Sequence, residues 1–326
     1  MTTYVIKETD YQAATTSSKG TLKPLRLSEN GIVGETAEIE SDIILPGTRV
    51  PSVPDTGSES SSGNTASEFN IDEQDELIAS VMCSSWVTDS SKITGDVTDY
   101  KTLVLGTSKT VWRMIKKFAQ TPAEWREFTG LQVNQMTLSL ALNSFAKLTF
   151  GWLGSNNPKG VSSDPIDATK FDYAAALTTK SFKTLEGYLK IGALADAFTN
   201  MTQLRQAPNL ELTVNNNKER TDALFETEAI EMSDGNFDVS GNLEIWKADA
   251  IGMSMFNDAV DGVDKCIEVQ LSRTVSGVKT SYTFQIKAHL KNPTESKDGN
   301  KYKVTVPFTV NFSEGLKIIK QVEEVS

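Results

Sequence analysis

The chain has 326 residues, 38% of them hydrophobic and 23% charged, a globular composition with length enough for two ordinary domains. Its net charge of −11 argues against a surface that grips nucleic-acid phosphates, because that affinity comes largely from Lys and Arg. No apolar run approaches the roughly 18–20 residues that cross a bilayer, and Met1 to Glu8 has neither the basic cap nor the apolar core of a secretory signal, so the expectation is a protein made in a cytoplasm with no membrane partner.

In chain order, the first signals are a turn at Asn30-Gly31 and alternating carboxylates at Glu35, Glu38, Glu40 and Asp42. The stretch Pro46 to Gly63, rich in Pro, Gly, Ser and Thr, predicts a long loop or protruding hairpin. Glu73 to Met82 carries Leu77, Ile78, Val81 and Met82 on one helical face, with Asp72 as candidate N-cap. Val104 to Thr110 has a faint likeness to a phosphate-binding loop but lacks two of its glycines, and a hairpin turn leading into a strand at 111–117 is expected instead. Val133 to Leu140 alternates as a strand, Asn156 to Asp167 reads as a loop, and Ala193 to Phe198 as a short helix. Leu210 to Val214, Leu224 to Met232 and Val304 to Phe312 are further expected strands, the last with an edge or bulge at Pro307. Ala248 to Val260 is the second clear helix.

Candidates for chemistry are few. With one histidine, His289, and two distant cysteines, Cys83 and Cys266, no thiolate–imidazole metal cluster can form within one chain, and buried free thiols are expected. Asp72 to Glu76 lacks the spacing and Gly of a calcium loop. No catalytic, cofactor or metal residues are assigned; a non-enzymatic protein is expected.

The two helices have similar surroundings. Gly63-Asn64 precedes the first and Gly241-Asn242 the second, an offset of 241 − 63 = 178. Upstream, Glu38-Ile39-Glu40 matches Glu226-Thr227-Glu228; downstream, Met136 to Leu140 matches Phe308 to Phe312. These matches suggest a duplicated β domain, a first over residues 1–155 and a second over 156–326 that includes a linker or loop at 156–209.

Leu25-Arg26-Leu27, Glu38 to Ser41, Arg49, Gly63, Glu68-Phe69, Asp75 to Ile78 and Trp86 stand in an order that resembles the opening of the tail tube proteins of long, non-contractile-tailed bacteriophages. Glu127-Phe128-Thr129-Gly130 running into Val133-Asn134 is similar to a second segment of that family, and Leu210 to Trp246 to a third. The resemblance implies a β-sandwich or barrel-like domain with a flanking helix; together with the duplication, the expected fold is mainly β, two tandem domains of this kind plus a long loop at about 46–63. It implies a structural virion protein, built into stacked rings whose hollow tube delivers DNA to the host. Its partners would be copies of itself, a tape measure protein in the lumen, tail terminator and distal tail proteins, and DNA in transit without specific binding. An inner-tube-like component of a contractile injection or secretion machine, or a decoration protein, is the alternative.

Three further expectations follow. Pro46, Arg49, Pro51, Pro54, Ser58 and Ser62 mark a ring-stacking loop. Some of Glu35, Glu38, Glu40, Asp42, Glu226, Glu228, Glu231 and Asp234 line the lumen, where negative charge would repel phosphates. If each chain supplies two domains, a trimer with pseudo-six-fold symmetry is favoured over a hexamer.

Overall fold

Period-two alternation of apolar residues dictates strands with one buried face, and strands are the chain's main element. The computed structural model describes residues 1–39, 55–196, 198–205, 207–247, 250–310 and 315–325. It begins with β1 (Thr2–Lys7), α1 (Glu8–Ala13), β2 (Gly20–Leu25), β3 (Glu29–Asn30), β4 (Val33–Ile39), β5 (Asp55–Glu68) and α2 (Asp75–Val81). Next come β6 (Val87–Thr88), β7 (Val97–Val104), β8 (Trp112–Phe118), β9 (Glu124–Ala141), β10 (Lys147–Gly154), β11 (Phe171–Tyr173), β12 (Gly187–Ala193) and β13 (Thr202–Gln203). The remainder holds β14 (Asn209–Asn215), β15 (Glu219–Thr221), β16 (Glu231–Ser233), β17 (Asp238–Trp246), α3 (Ala250–Val260), β18 (Asp264–Val275), β19 (Val278–Leu290), β20 (Thr294–Asp298), β21 (Lys301–Thr309) and β22 (Leu316–Glu324).

Two antiparallel layers enclose the core. One runs β4-β5-β10-β9-β14-β17-β21-β20. The other runs β6-β7-β22-β19-β18-β12. Leu138, Phe150, Leu212, Leu243 and Val306 of the first layer, and Leu103, Ile267, Phe284 and Ile318 of the second, belong to one buried cluster. A smaller sheet, β8-β1-β2-β11, covers a second cluster of Ile6, Leu22, Ile115, Trp125, Ile166 and Phe171.

α2 and α3 lie where periodicity puts them, α1 was not expected, and Asp72 is not the N-cap. Gln74 holds that position without a side-chain cap, and Asp72, at φ +64°, pairs with Lys320 of β22 instead. Val104 to Thr110 is no hairpin turn: β7 pairs with β22 while β8 pairs with β1 and β9, so this stretch crosses between layers, held by Gly106 and Ser108 amides donating to Met82 and Cys83 carbonyls. Leu224 to Met232 forms a strand only from Glu231; before it the chain loops outward, with Leu224 and Phe225 fully in solvent, because no strand lies beside them to bury the alternate residues.

The expected loop at 46–63 is half corrected. Residues 40–54, with Pro46, Arg49, Pro51 and Pro54, lie outside the described residues, whereas Ser58 and Ser62 stand within β5. Nor is 156–209 merely a linker. Val161 bridges to Trp125, β11 pairs with β2, Phe182 packs on Phe69 at 5.0 Å and β12 pairs with β18. These contributions are too short to show a period. Pro307 sits inside the sheet, opposite Asn242, at the point where the other side of β21 changes from β20 (Thr305 with Thr294) to β19 (Phe308 with Leu290). A residue without an N–H fits where the ladder changes partner.

Candidate functional site

The first layer has one core face and one polar face. Side chains on the polar face follow from register: Gln135, Thr137 and Ser139 of β9 stand beside Asn215, Thr213 and Glu211 of β14, which stand beside Asp238, Ser240 and Asn242 of β17. Thr137 and Thr213 hydroxyls meet at 3.2 Å. On the other side of β9 come Lys147, Thr149 and Gly151 of β10, then Glu68, Ala66 and Asn64 of β5. Beyond β17 come Lys301, Lys303, Thr305 and Thr309 of β21, then Asp298, Ser296 and Thr294 of β20. The face is thus mostly hydroxyl and amide, with scattered carboxylates and few lysines. Its signal was present in the sequence as Ser, Thr, Asn and Gln at every second position, but the residues were not singled out because polar alternation reads as ordinary solvated surface.

Two edges of this layer carry no further strand among the described residues, β4 and β20. Eight strands alternate in direction from one to the other, so β4 and β20 run opposite ways. At one end of the layer lie the turns joining β9 to β10 and β20 to β21. At the other, the β4–β5 ladder continues to Ile39 opposite Asp55, beyond the last β10 pairing at Ser61, and the loop between β15 and β16 touches it where the Glu59 amide donates to the Thr227 carbonyl at 2.6 Å.

The expected carboxylates scatter over that second end. Glu35 and Glu38 are exposed on β4, separated by a register shift, and Glu40 and Asp42 lie outside the described residues. Glu226 and Glu228 occupy the β15–β16 loop, where Glu228 accepts from the Ser155 hydroxyl at 3.3 Å. Glu231 lies 3.6 Å from Lys109, and Asp234 pairs with buried Lys218. The six of these that are described do not form one surface.

Both cysteines are buried thiols outside any disulfide, Cys266 donating to the Leu194 carbonyl at 3.8 Å, and burial pushes the Cys83 thiol up. His289 pairs with Asp264 at 2.8 Å across β18 and β19. Among the described residues no group of three His, Cys, Asp or Glu is placed to hold a metal ion, and no helix is long and apolar enough to cross a membrane.

Lys116 of β8 is buried, donates to the Ile32 carbonyl and lies over the Phe128 ring at 5.1 Å; burial pushes its amine down to about 8. The folded chain therefore releases this proton before the unfolded one, and stability should climb as pH rises from about 8 towards the ordinary lysine value near 10.4. In Lys116→Met that climb should vanish. Urea midpoints of the unassembled chain between pH 7 and 10 measure it, and an unchanged slope would refute the assignment.

A comparison with curated proteins found no match. A family model described as phage tail tube protein matches residues 2–311, almost the whole chain and every strand of the polar-faced layer. A mainly β, two-layered chain with a continuous polar face and, among the described residues, two unpaired edges, matched over nearly its full length, belongs to the phage tail tube protein family, structural components of the virion.

Proposed function

We propose that copies of this chain join edge to edge, β20 of one against β4 of the next, into rings that stack into the hollow tube of a long, non-contractile phage tail. The observation that carries the reading is the eight-stranded layer with its two open, oppositely directed edges. Pairing β20 with β4 continues the antiparallel alternation around a closed barrel and removes both edges, which otherwise invite aggregation. The polar face then lines the lumen. Hydroxyl and amide groups dominate it, and its lysines Lys147, Lys301 and Lys303 are outnumbered by the carboxylates of Glu68, Glu211, Asp238, Glu244 and Asp298, with Lys303 paired to Glu244 at 3.0 Å. DNA therefore finds no net cationic surface to hold and passes without specific binding. Of the eight expected carboxylates Glu35 stands nearest this face by register, opposite Ser60, and Glu211, Asp238, Glu244 and Asp298 join it as lumen candidates.

Duplication supports three chains per ring. The half-layer β4-β5-β10-β9 corresponds strand for strand to β14-β17-β21-β20, with α2 following β5 as α3 follows β17. Of the sequence matches, Gly63-Asn64 with Gly241-Asn242 agrees with this, whereas Met136 to Leu140 of β9 and Glu38 of β4 correspond to β20 and β14 and not to Phe308 to Phe312 or Glu226 to Glu228. Gly63 of β5 faces Trp152, and Gly241 of β17 faces Phe308. A Cβ on Gly63 would meet the Gly31 carbonyl oxygen at 2.4 Å, and one on Gly241 would meet Phe308 Cζ at 2.3 Å. Both positions therefore need glycine. On this reading the β9–β14 joint within a chain is the template for the β20–β4 joint between chains, and the pseudo-six-fold ring is a trimer. Tape measure, terminator and distal tail proteins are the partners that such a tube requires. Electron microscopy of the purified chain should show hollow tubes with three chains per ring; six chains per ring would defeat the trimer, and no tube would defeat the whole reading.

Lumen polarity has its own test. Lysine at both Thr137 and Thr213 should leave tubes intact but make them bind duplex DNA in a salt-dependent manner. Tubes that bind DNA no better than wild type would place this face elsewhere.

A further inference from the structure

Resting on the tube reading, we infer that Leu224 and Phe225 of one chain seat in an apolar cleft at the opposite end of a chain in the next ring. The loop carrying them is set by its neighbours: β15 pairs with β16, the Ile230 amide donates to the Thr221 carbonyl at 3.1 Å, and Thr227 accepts from Glu59. Yet Leu224 is 86% exposed and Phe225 101% exposed. Phe225 also holds φ at +72°, a conformation that non-glycine residues rarely adopt. That φ belongs to a turn closed by the Glu226 amide donating to the Ala223 carbonyl at 3.4 Å, a position that usually takes glycine, and here the turn displays an aromatic side chain to solvent.

The cleft lies at the other end of the same layer. About 300 Å³ in volume, it opens between the two layers beside the β9–β10 turn and is lined chiefly by Leu140, Leu142, Leu185, Leu189, Leu204 and Pro208. Leu142 and Leu185 at its mouth are 60% and 68% exposed. Arg205 stands at the rim, a counterpart for Glu226 beside the aromatic knob. Knob and cleft occupy opposite ends of one sheet, so neither can meet its complement within the same chain. A contact between unlike patches related mainly by translation does not close on itself, and this is the symmetry of a stack rather than a ring. The occupant that fits is a second copy of this chain.

Cysteines at Phe225 and Leu185 in one chain test the contact in assembled tubes. Oxidation should give an open ladder of covalent multimers longer than the number of chains in a ring, while neither single-cysteine variant gives a ladder. A ladder stopping at the ring number would mean a contact within rings and overturn the inference; so would tubes that yield no cross-link. Because the double variant alters the contact itself, Phe225→Asp supplies a second readout. It should melt like wild type and form rings, but need roughly tenfold or more higher concentration to stack. Normal stacking of this variant would overturn the contact while leaving the tube intact; a wild-type chain that makes no tubes overturns the tube reading, and this contact with it.

Discussion

Proline at one of two neighbouring positions in β20, Ser296 or Lys297, should abolish ring closure without lowering the melting temperature of the isolated chain. Successive amides of a strand point to opposite sides, so of these two one is directed at β21 and the other at the open edge. Proline facing β21 removes a bond within the chain and costs stability. Proline facing outward removes one the isolated chain does not make, but which a neighbour's β4 would accept. The pair of variants should thus separate folding from assembly, with one unstable and the other folded but confined to unclosed species in sedimentation. If both assemble into rings, β20 is not the joint.

A second large effect is expected at Lys320. Its ammonium is buried under α2, paired with Asp72 and Asp75, while the Tyr282 hydroxyl also donates to Asp75 and its ring lies 5.6 Å from the amine. Although burial pulls the Lys320 amine down, Asp75 and Asp72 hold it above the usual lysine range; burial and the Asp75 carboxylate raise the Tyr282 phenol well above its own. Lys320→Ala leaves Asp75 enclosed with only a neutral partner, a loss of about 3–5 kcal/mol for a broken buried pair. At about 2 °C per kcal/mol the melting temperature should fall by roughly 6–10 °C. Because the folded value is raised, the wild-type contribution is fully present at neutral pH and fades only in strong alkali, as pH passes the folded value. Lys320→Ala melting within a degree or two of wild type would show that the cluster is solvated.

These two sites differ in how far the sequence revealed them. Leu210 to Val214 and Val133 to Leu140 announce strands because each has one buried face, and period-two alternation is that burial written along the chain. The two helices, the buried cysteines and the phage tail tube likeness were legible for similar reasons: each rests on a local pattern or an ordered set of motifs. Identical local alternation at Leu224 to Met232 misled, since a strand also requires a neighbour to hydrogen-bond, and none lies beside Phe225. Phe171 and Phe182 gave no signal because their partners lie more than a hundred positions away, and Ile191 none because it is the one buried residue of β12, which has no alternation to show. Asp72 looked like a cap until β22 brought Lys320 to it from 248 residues along the chain. Within alternating segments such as Leu210 to Val214 and Val133 to Leu140, the sequence by itself determined which face of the strand is apolar and which polar, since that follows from the order of side chains. Which strands lie side by side, which two edges stay open, and which apolar residues face solvent at opposite ends were decided only by the tertiary structure, because pairing between distant segments depends on the register and burial of the whole sheet.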